Sequence, residues 1–335
     1  MADVKLREPD AEVIDMIKRS GDLDTAIAFP AQRELARALE EPLRQGVLVG
    51  DVISGIYETL PMAPGSSVEF PLDLLAPGEE DQFVAYTNPG NGRIPERQVE
   101  GDYVQVPTYG IASSIDMLLR YAREARWDVV ARAMQVLEAS FVKKINDDGW
   151  HTLLTAAADR NILVFDADAT AGQFTKRLVS LMKTIMVRNG GGNTASLRRS
   201  RLTDIFMSPE GIEDIRNWGV DQVDDITRRE IYVAADGTIS KVFGVNLIDL
   251  VEFGEGQEYQ LFFSNQLSGS LASGDLELVI GLDRQINDSY LMPTKQPVSI
   301  FEDPTLHRQQ RMGWYGWAEL GFAILDNRRV LLGSF

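Results

Sequence analysis

Apolar and polar positions along this chain change their period several times, and each change marks an element. Between Ile111 and Asp148 there are 38 residues with neither Gly nor Pro. Within them Leu118, Tyr121, Ala122, Ala125, Val129, Ala133, Met134, Leu137, Phe141 and Ile145 recur every three or four positions, the stripe of a helix with 3.6 residues per turn. The spacing predicts one long helix, begun by Ser114 as N-cap and stopped by Gly149. Thirty such residues reach about 45 Å, against a usual length of ~11–12 residues. Asp128 with Arg132, and Arg120 with Glu124, sit four apart on the outer face, where opposite charges add modest support. The bulky positions keep no clean heptad, so the pattern predicts a strut under a sheet rather than a coiled coil.

Upstream, two shorter amphipathic patterns run from Asp10 to Arg19 and from Ala31 to Arg44, broken at Ser20-Gly21 and at Pro30. Neither is long enough to enclose a core. An ordinary first helical layer and a segment laid on another copy both fit that pattern. From Pro61 to Gly110 the texture becomes one of turns, with seven Pro and six Gly. The alternating runs 67–70 and 101–106 predict two strands of an extended hairpin, and the stretch from Ala76 to Glu100 between them is too polar to fold on itself. With so little core of their own, residues 1–60 and 61–110 are expected to bury Ile14, Ile17, Leu35 and Val68 only against other chains.

Downstream, Asn161 to Phe165 reads as a strand and residues 174–188 as an amphipathic helix, with Phe174, Leu178, Leu181, Met182 and Ile185 on one side. The triple glycine 190–192 is followed by no Gly-Lys-Ser/Thr and preceded by no apolar strand, so it is a loop and not a phosphate cradle. Arg198, Arg199 and Arg201 beyond it form a small basic patch, read as a solvated or intersubunit face. Leu202 to Pro209 predicts a strand entering a helix from Glu210 to Trp218. Ile239 to Ile248 predicts a strand pair around Gly244, Tyr259 to Phe263 a further strand, and Gln309 to Phe322 a strand-rich piece carrying Trp314, Tyr315 and Trp317. Val330 to Gly333 closes the series.

Composition narrows the function classes. The 335 residues are 44% hydrophobic and 25% charged, enough for one large core or two smaller ones. No apolar run reaches the ~18–20 residues of a membrane helix, and residues 1–13 lack the basic and apolar regions of a signal peptide, so the chain is expected to be used without secretion. There is no Cys and there are two His, His151 and His307, which excludes disulfides and leaves little for a metal centre. A net charge of −17 argues against a free nucleic-acid-binding domain.

One segment carries an enzyme-like signal. The strand ending at Phe165 runs into Asp166-Ala167-Asp168-Ala169-Thr170, which matches the first motif of haloacid-dehalogenase-type phosphotransferases, where carboxylates attack phosphorus and hold magnesium. The later motifs are out of order, since Lys183 precedes Ser208 and Asp224-Asp225 precedes Lys241. The segment is read as a surface turn with an Asp cap.

The element order as a whole points elsewhere. A Pro- and Gly-rich hairpin, a long helix, a strand-Ser-Pro-helix unit (Leu202 to Trp218), a basic-apolar-Gly-apolar strand (Lys241 to Val245) and a terminal piece with Trp314, Tyr315, Trp317, Asn327, Arg328 and Arg329 resemble the major capsid proteins of tailed bacteriophages, the Hong Kong 97 type of shell fold. The resemblance implies an α+β fold in which residues 1–60 are an N-terminal arm and 61–110 an extended β-hairpin loop lying over a neighbouring subunit. It further implies a peripheral domain from 111–170 with 293–335, carrying the spine helix, and an axial domain from 171–292. It implies a non-enzymatic structural subunit without cofactor or metal. Pentamers and hexamers of that subunit form the icosahedral head around double-stranded DNA, assembled in the host cytoplasm with separate scaffold and portal proteins, with or without a decoration protein, and with no membrane and no sequence-specific DNA contact. Arg93, Glu96, Arg97 and Glu100 in the loop are the candidate intersubunit contacts, with a solvated loop face as the other reading. An encapsulin nanocompartment shares the fold and is the alternative. Some members weld their subunits through a loop Lys; no Lys occurs between Lys18 and Lys143, so this loop supplies none.

Overall fold

The computed structural model describes residues 11–50, 52–71, 103–189, 200–218, 241–267, 271, 277–285 and 289–335. It divides into two compact units. The first holds helices α1 (Ala11–Ser20), α2 (Thr25–Gly50), α3 (Leu119–Arg123) and α4 (Trp127–Asp159) as far as Gly149, with strands β1 (Glu58–Pro61), β4 (Tyr109–Leu118), β10 (Tyr290–Glu302) from Met292 onward, and β11 (Arg311–Leu320). The second holds the remainder, including the short hairpin of β2 (Glu69–Pro71) and β3 (Tyr103–Gln105).

In the first unit the strand order is β1-β10-β11-β4. β11 and β4 pair antiparallel from Arg311 opposite Leu118 to Leu320 opposite Tyr109. Because side chains alternate across a strand, Met312, Trp314, Ala318 and Leu320 point into the core with Ile111 and Met117, while Tyr315 and Trp317 remain exposed. Val130, Ala133, Met134, Leu137, Phe141 and Ile145 of α4 fill that core from the other side.

The long helix therefore exists, but its ends differ from the expected ones. Residues 111–118 are strand, and Ser114 lies opposite Tyr315 in the ladder rather than capping a helix. The stripe begins only at Leu118, and the positions before it alternate with period two, which is the signal of a half-buried strand. α3 and α4 are separated at Ala125, whose φ is 51°. Arg120 donates to the Tyr121 hydroxyl, and Glu124 pairs with Arg126. At the other end Gly149 lies inside α4. A Cβ there would come within 2.5 Å of Ile53 Cγ2, and Ile53 is fully buried. Asn146 Oδ1 accepts from the Ile53 amide and the Gly149 carbonyl from the Tyr57 hydroxyl. Gly149 thus makes room for a neighbour and stops nothing.

The burial of the N-terminal segment corrects a second expectation. Ile17 and Leu35 are 0% exposed and Val68 2% within the isolated chain, and Ile14 is half-buried. α2 runs straight through Pro30 and Pro42, because Ala28, Ala31, Leu35, Ala36 and Leu43 form one buried stripe whose packing outweighs the lost backbone bonds. Asp24 starts the helix by accepting from the Ala26 amide, and Gln32 Nε2 reaches back to the Ser20 carbonyl at 2.9 Å. The two shorter patterns are one helical layer of the chain's own core.

In the second unit the sheet runs β5-β13-β9-β6-β8-β7, built from β5 (Leu163–Phe165), β6 (Asp204–Met207), β7 (Lys241–Val242), β8 (Val245–Asp249), β9 (Leu278–Leu282) and β13 (Val330–Ser334). A further short strand, β12 (Ala323–Ile324), pairs with Tyr290 and Leu291 at the start of β10. One face of the sheet, with Ile205, Met207, Leu247, Val279 and Leu331, is covered by α5 (Lys176–Asn189) and α6 (Pro209–Asn217). The other face turns Phe206 onto Trp150 of α4, which also meets Phe253 and Tyr259. The expected strand Tyr259 to Phe263 is instead helix α7 (Glu258–Phe262) running into a wider turn. Tyr259 and Phe263 are buried and Leu261 is exposed, a three-to-four spacing that a strand would not give. Ser208 caps α6 by accepting from the Gly211 amide, as the Ser-Pro junction predicts. Arg329 lies 1% exposed between Asp326 at 3.5 Å and Asp283 at 3.9 Å, a buried charge held by two carboxylates.

Two outcomes follow for the isolated chain. Leu35→Ala removes buried volume and costs about 2–5 kcal/mol in urea unfolding; an unchanged midpoint would return the N-terminal helices to partner-only burial. Gly149→Ala gains about 1 kcal/mol of helix propensity but forces about 1–3 kcal/mol of overpacking onto Ile53. It should destabilise the natural chain and stabilise an Ile53→Ala background, and the same sign in both backgrounds would remove Ile53 as the cause.

Candidate assembly surfaces

Two surfaces stand out, and the first is the open side of the sheet in the first unit. Phe301 of β10 sits directly across from Tyr315 of β11, with ring centroids 5.5 Å apart, and Trp317 lies 6.5 Å from Phe301. Tyr315 and Trp317 are 42% and 39% exposed. On the adjoining β4 the outward positions opposite them are Ser114 and Ala112, so an aromatic ridge stands beside a shallow strip of small residues. Exposed aromatics grouped in this way characterise interaction surfaces more than free ones. The sequence placed Trp314, Tyr315 and Trp317 together. Strand alternation separates them, with Trp314 inside and the other two outside.

The second surface is the β2–β3 hairpin. Glu69 faces Gln105 and Phe70 faces Val104, so the two predicted strands do pair. Tyr103 is 64% exposed. Arg93, Glu96, Arg97 and Glu100 lie outside the described residues, as do Arg198, Arg199 and the triple glycine.

The enzyme-like segment resolves into a turn. Asp166 Oδ1 accepts from the Asp168 amide at 3.2 Å and Oδ2 from the Thr175 hydroxyl at 2.7 Å, while Arg177 pairs with Asp168 and lies 3.5 Å from Asp166. Both carboxylates are spent on tying β5, at the edge of its sheet, to the start of α5. Among the described residues no group of three or more His, Asp or Glu is placed to hold a metal ion, and no helix is long and apolar enough to cross a membrane.

An acidic corner at the start of α6 was not foreseen, because its members are far apart in sequence. Ser208 Oγ donates to a Glu277 carboxylate oxygen, and Glu277 exchanges backbone hydrogen bonds with Phe335. Burial pushes the Glu277 carboxyl above the ordinary glutamate range; the Ser208 hydrogen bond lowers it in part, and Glu210, Asp214 and Glu255 raise it further. A carboxyl raised in the folded state makes ionisation a cost to folding: the cost is absent below the unfolded value and complete above the folded one. Glu277→Gln should therefore raise the melting temperature at neutral and alkaline pH, with the difference from the natural chain vanishing as pH falls below the ordinary glutamate range. A difference that grows toward acid would reverse this sign.

No family model matches the sequence, and no curated protein matches it. Solved structures do. A chain from Microbacterium phage Oxtober96 aligns at 10% identity and a TM-score of 0.55, over 85% of this chain and 90% of that one. The capsid asymmetric unit of cyanophage Pam1 aligns at 14% identity and 0.55, over 84% and 88%. The capsid of an empty GTA particle aligns at 11% identity and 0.54, over 85% and 90%. The chain therefore has the mixed helix-and-sheet fold of phage capsid structures, the class its sequence led us to expect.

Proposed function

We propose that this chain is the major capsid protein of a tailed phage, a structural and non-catalytic subunit that closes with its own copies into pentamers and hexamers of an icosahedral head around double-stranded DNA. The observation that carries the reading is the fold likeness to capsid structures along 84–85% of the chain. The ridge of exposed Tyr315 and Trp317 beside half-buried Phe301 adds to it, since exposed aromatics grouped in this way favour contact with a partner. In this reading residues 61–110 are the extended loop, and Arg93, Glu96, Arg97 and Glu100 are its charged contacts to the next subunit. Residues 111–170 with 293–335 are the peripheral domain, and 171–292 the axial domain. The arm, residues 1–60, contributes α1 and α2 to its own subunit's core as well. Scaffold and portal are separate proteins, and the site of action is the virion, reached by assembly in the host cytoplasm.

The subunits hold by burial, strand pairing and ion pairs alone. A guanidinium is always protonated and is no nucleophile, the loop has no Lys, and the chain has no Cys. Expressed alone or with its scaffold, the protein should give closed shells by negative-stain microscopy. Boiled in detergent, those shells should run as one band near 37.3 kDa. Monomers without shells would sink the capsid reading, and a detergent-resistant ladder would sink the noncovalent one.

A further inference from the structure

One end of the sheet in the second unit gathers guanidinium groups. β5 and β13 run parallel with Leu163 opposite Leu332, so Arg160 and Arg329 each stand three residues before a paired position. α4 ends at Asp159 and the chain turns at Asn161, whose φ is 54°, which sets Arg160 at the entry to β5. Arg328 precedes Arg329, and Arg284 follows β9, whose Leu282 lies opposite both Val330 and Asp204.

The carboxylates at this end are already engaged. Asp326 accepts from Arg328 through two bonds of 2.7 and 3.0 Å and has Arg329 at 3.5 Å. Asp283 accepts from the Arg201 and Gln285 amides and lies 3.9 Å from Arg329. Asp204 accepts from Thr203 and Asn246 and lies 3.8 Å from Arg284. Arg160 is the exception. Its side chain is half-buried, its Nη1 is shut off from solvent, and among the described residues it has neither a hydrogen bond nor an ion pair. Burial lowers the pKa of this guanidinium, Asp326 raises it in part, and the Arg328 charge lowers it further. A cation withdrawn from water without a partner is costly. A guanidinium stays protonated at any ordinary pH, so an anion relieves that cost where proton loss does not.

We propose that Arg160, backed by the charges of Arg328 and Arg329, is a binding site for a phosphate-type oxyanion at the junction of α4 and β5. The planar fork of N–H donors matches two oxygens of such a group. A carboxylate has two oxygens in one plane and serves one fork. The tetrahedral oxygens of a phosphate can meet Arg160 and face the positive field of Arg328 at once. Free inorganic phosphate and the backbone of nucleic acid present the same group, and the experiment separates the two sources. The site lies wholly within the second unit, so it does not depend on the capsid reading.

The full-length chain is melted in phosphate and in chloride of equal ionic strength and pH. Four forms are compared: natural, Arg160→Gln, Arg160→Lys, and Arg126→Gln, which changes an exposed arginine of the first unit. About 10 mM phosphate should raise the natural melting temperature by about 2 °C or more, because a ligand bound only by the folded chain stabilises it by mass action. Arg126→Gln should respond alike, and acetate should give no such rise. Arg160→Gln should lose the response and melt no lower than the natural chain in chloride, since it removes an uncompensated charge. Arg160→Lys covers the case where loss of the charge disturbs folding: it keeps the charge without the fork and should keep less than half of the response. A dye-labelled short duplex is then titrated into the natural chain and Arg160→Gln at low salt. Binding that disappears in Arg160→Gln and is displaced by phosphate makes nucleic acid the source. No duplex binding, with the melting response intact, makes it the free ion.

A natural chain without a phosphate response, an equal response in Arg160→Gln, or acetate acting as well as phosphate overturns the inference and leaves the capsid reading as it stands. A lower melting temperature in Arg160→Gln by the same amount in both salts also overturns it, and assigns Arg160 to the C-terminal end of α4 alone.

Discussion

The first unit depends on how closely one helix approaches one sheet. Phe141 of α4 is fully buried, and a Cβ on Gly316 of β11 would stand 2.9 Å from its ring. The missing side chain at 316 lets the ring enter the sheet, and interiors at crystal-like density leave no slack for it elsewhere. That contact fixes which side of β11 faces inward. Met312, Trp314, Ala318 and Leu320 follow on the same side, and α1 and α2 then pack Ile17, Leu35 and Leu43 into the same cluster. The outward positions of Tyr315 and Trp317 are the other half of that choice.

The second unit is held partly by a different force. Its sheet is covered on both faces by apolar contacts, but Arg329 sits in the interior with Asp283 and Asp326, and the Tyr290 hydroxyl donates to the Arg329 carbonyl at 2.8 Å. Burial and the Asp283 charge push the Tyr290 phenol up, which keeps it a neutral donor at any ordinary pH. Asp326 is drawn below the ordinary carboxylate range, burial being outweighed by Arg328 and Arg329, so it stays charged beside them. A group of this kind adds little net stability, but removing one partner would leave a buried charge uncompensated.

Much of this was readable from residue order. The strand Asp204 to Met207 with its Ser208 cap, the turn at Gly244 between β7 and β8, the β2–β3 pairing and the body of α4 all announce themselves through local periodicity or capping chemistry. The misreadings share a cause, which is that tertiary burial overrode a local signal. Pro30 reads as a break, but the stripe from Ala28 to Leu43 carries α2 through it. Gly149 reads as a stop, and it is a notch for Ile53, a residue nearly a hundred positions away. Tyr259 to Phe263 is apolar enough for a strand, and only the exposure of Leu261 reveals a helix. The surfaces were harder still. The Glu277 corner gathers residues that no local window contains.

Strand β11 divides its residues between two tasks by parity. The even positions from Met312 to Leu320 are buried and hold the fold, and Tyr315 and Trp317 stand on the solvent side. A substitution at 315 or 317 leaves the packing against α4 untouched, so the outward set is free to vary while the inward set is held.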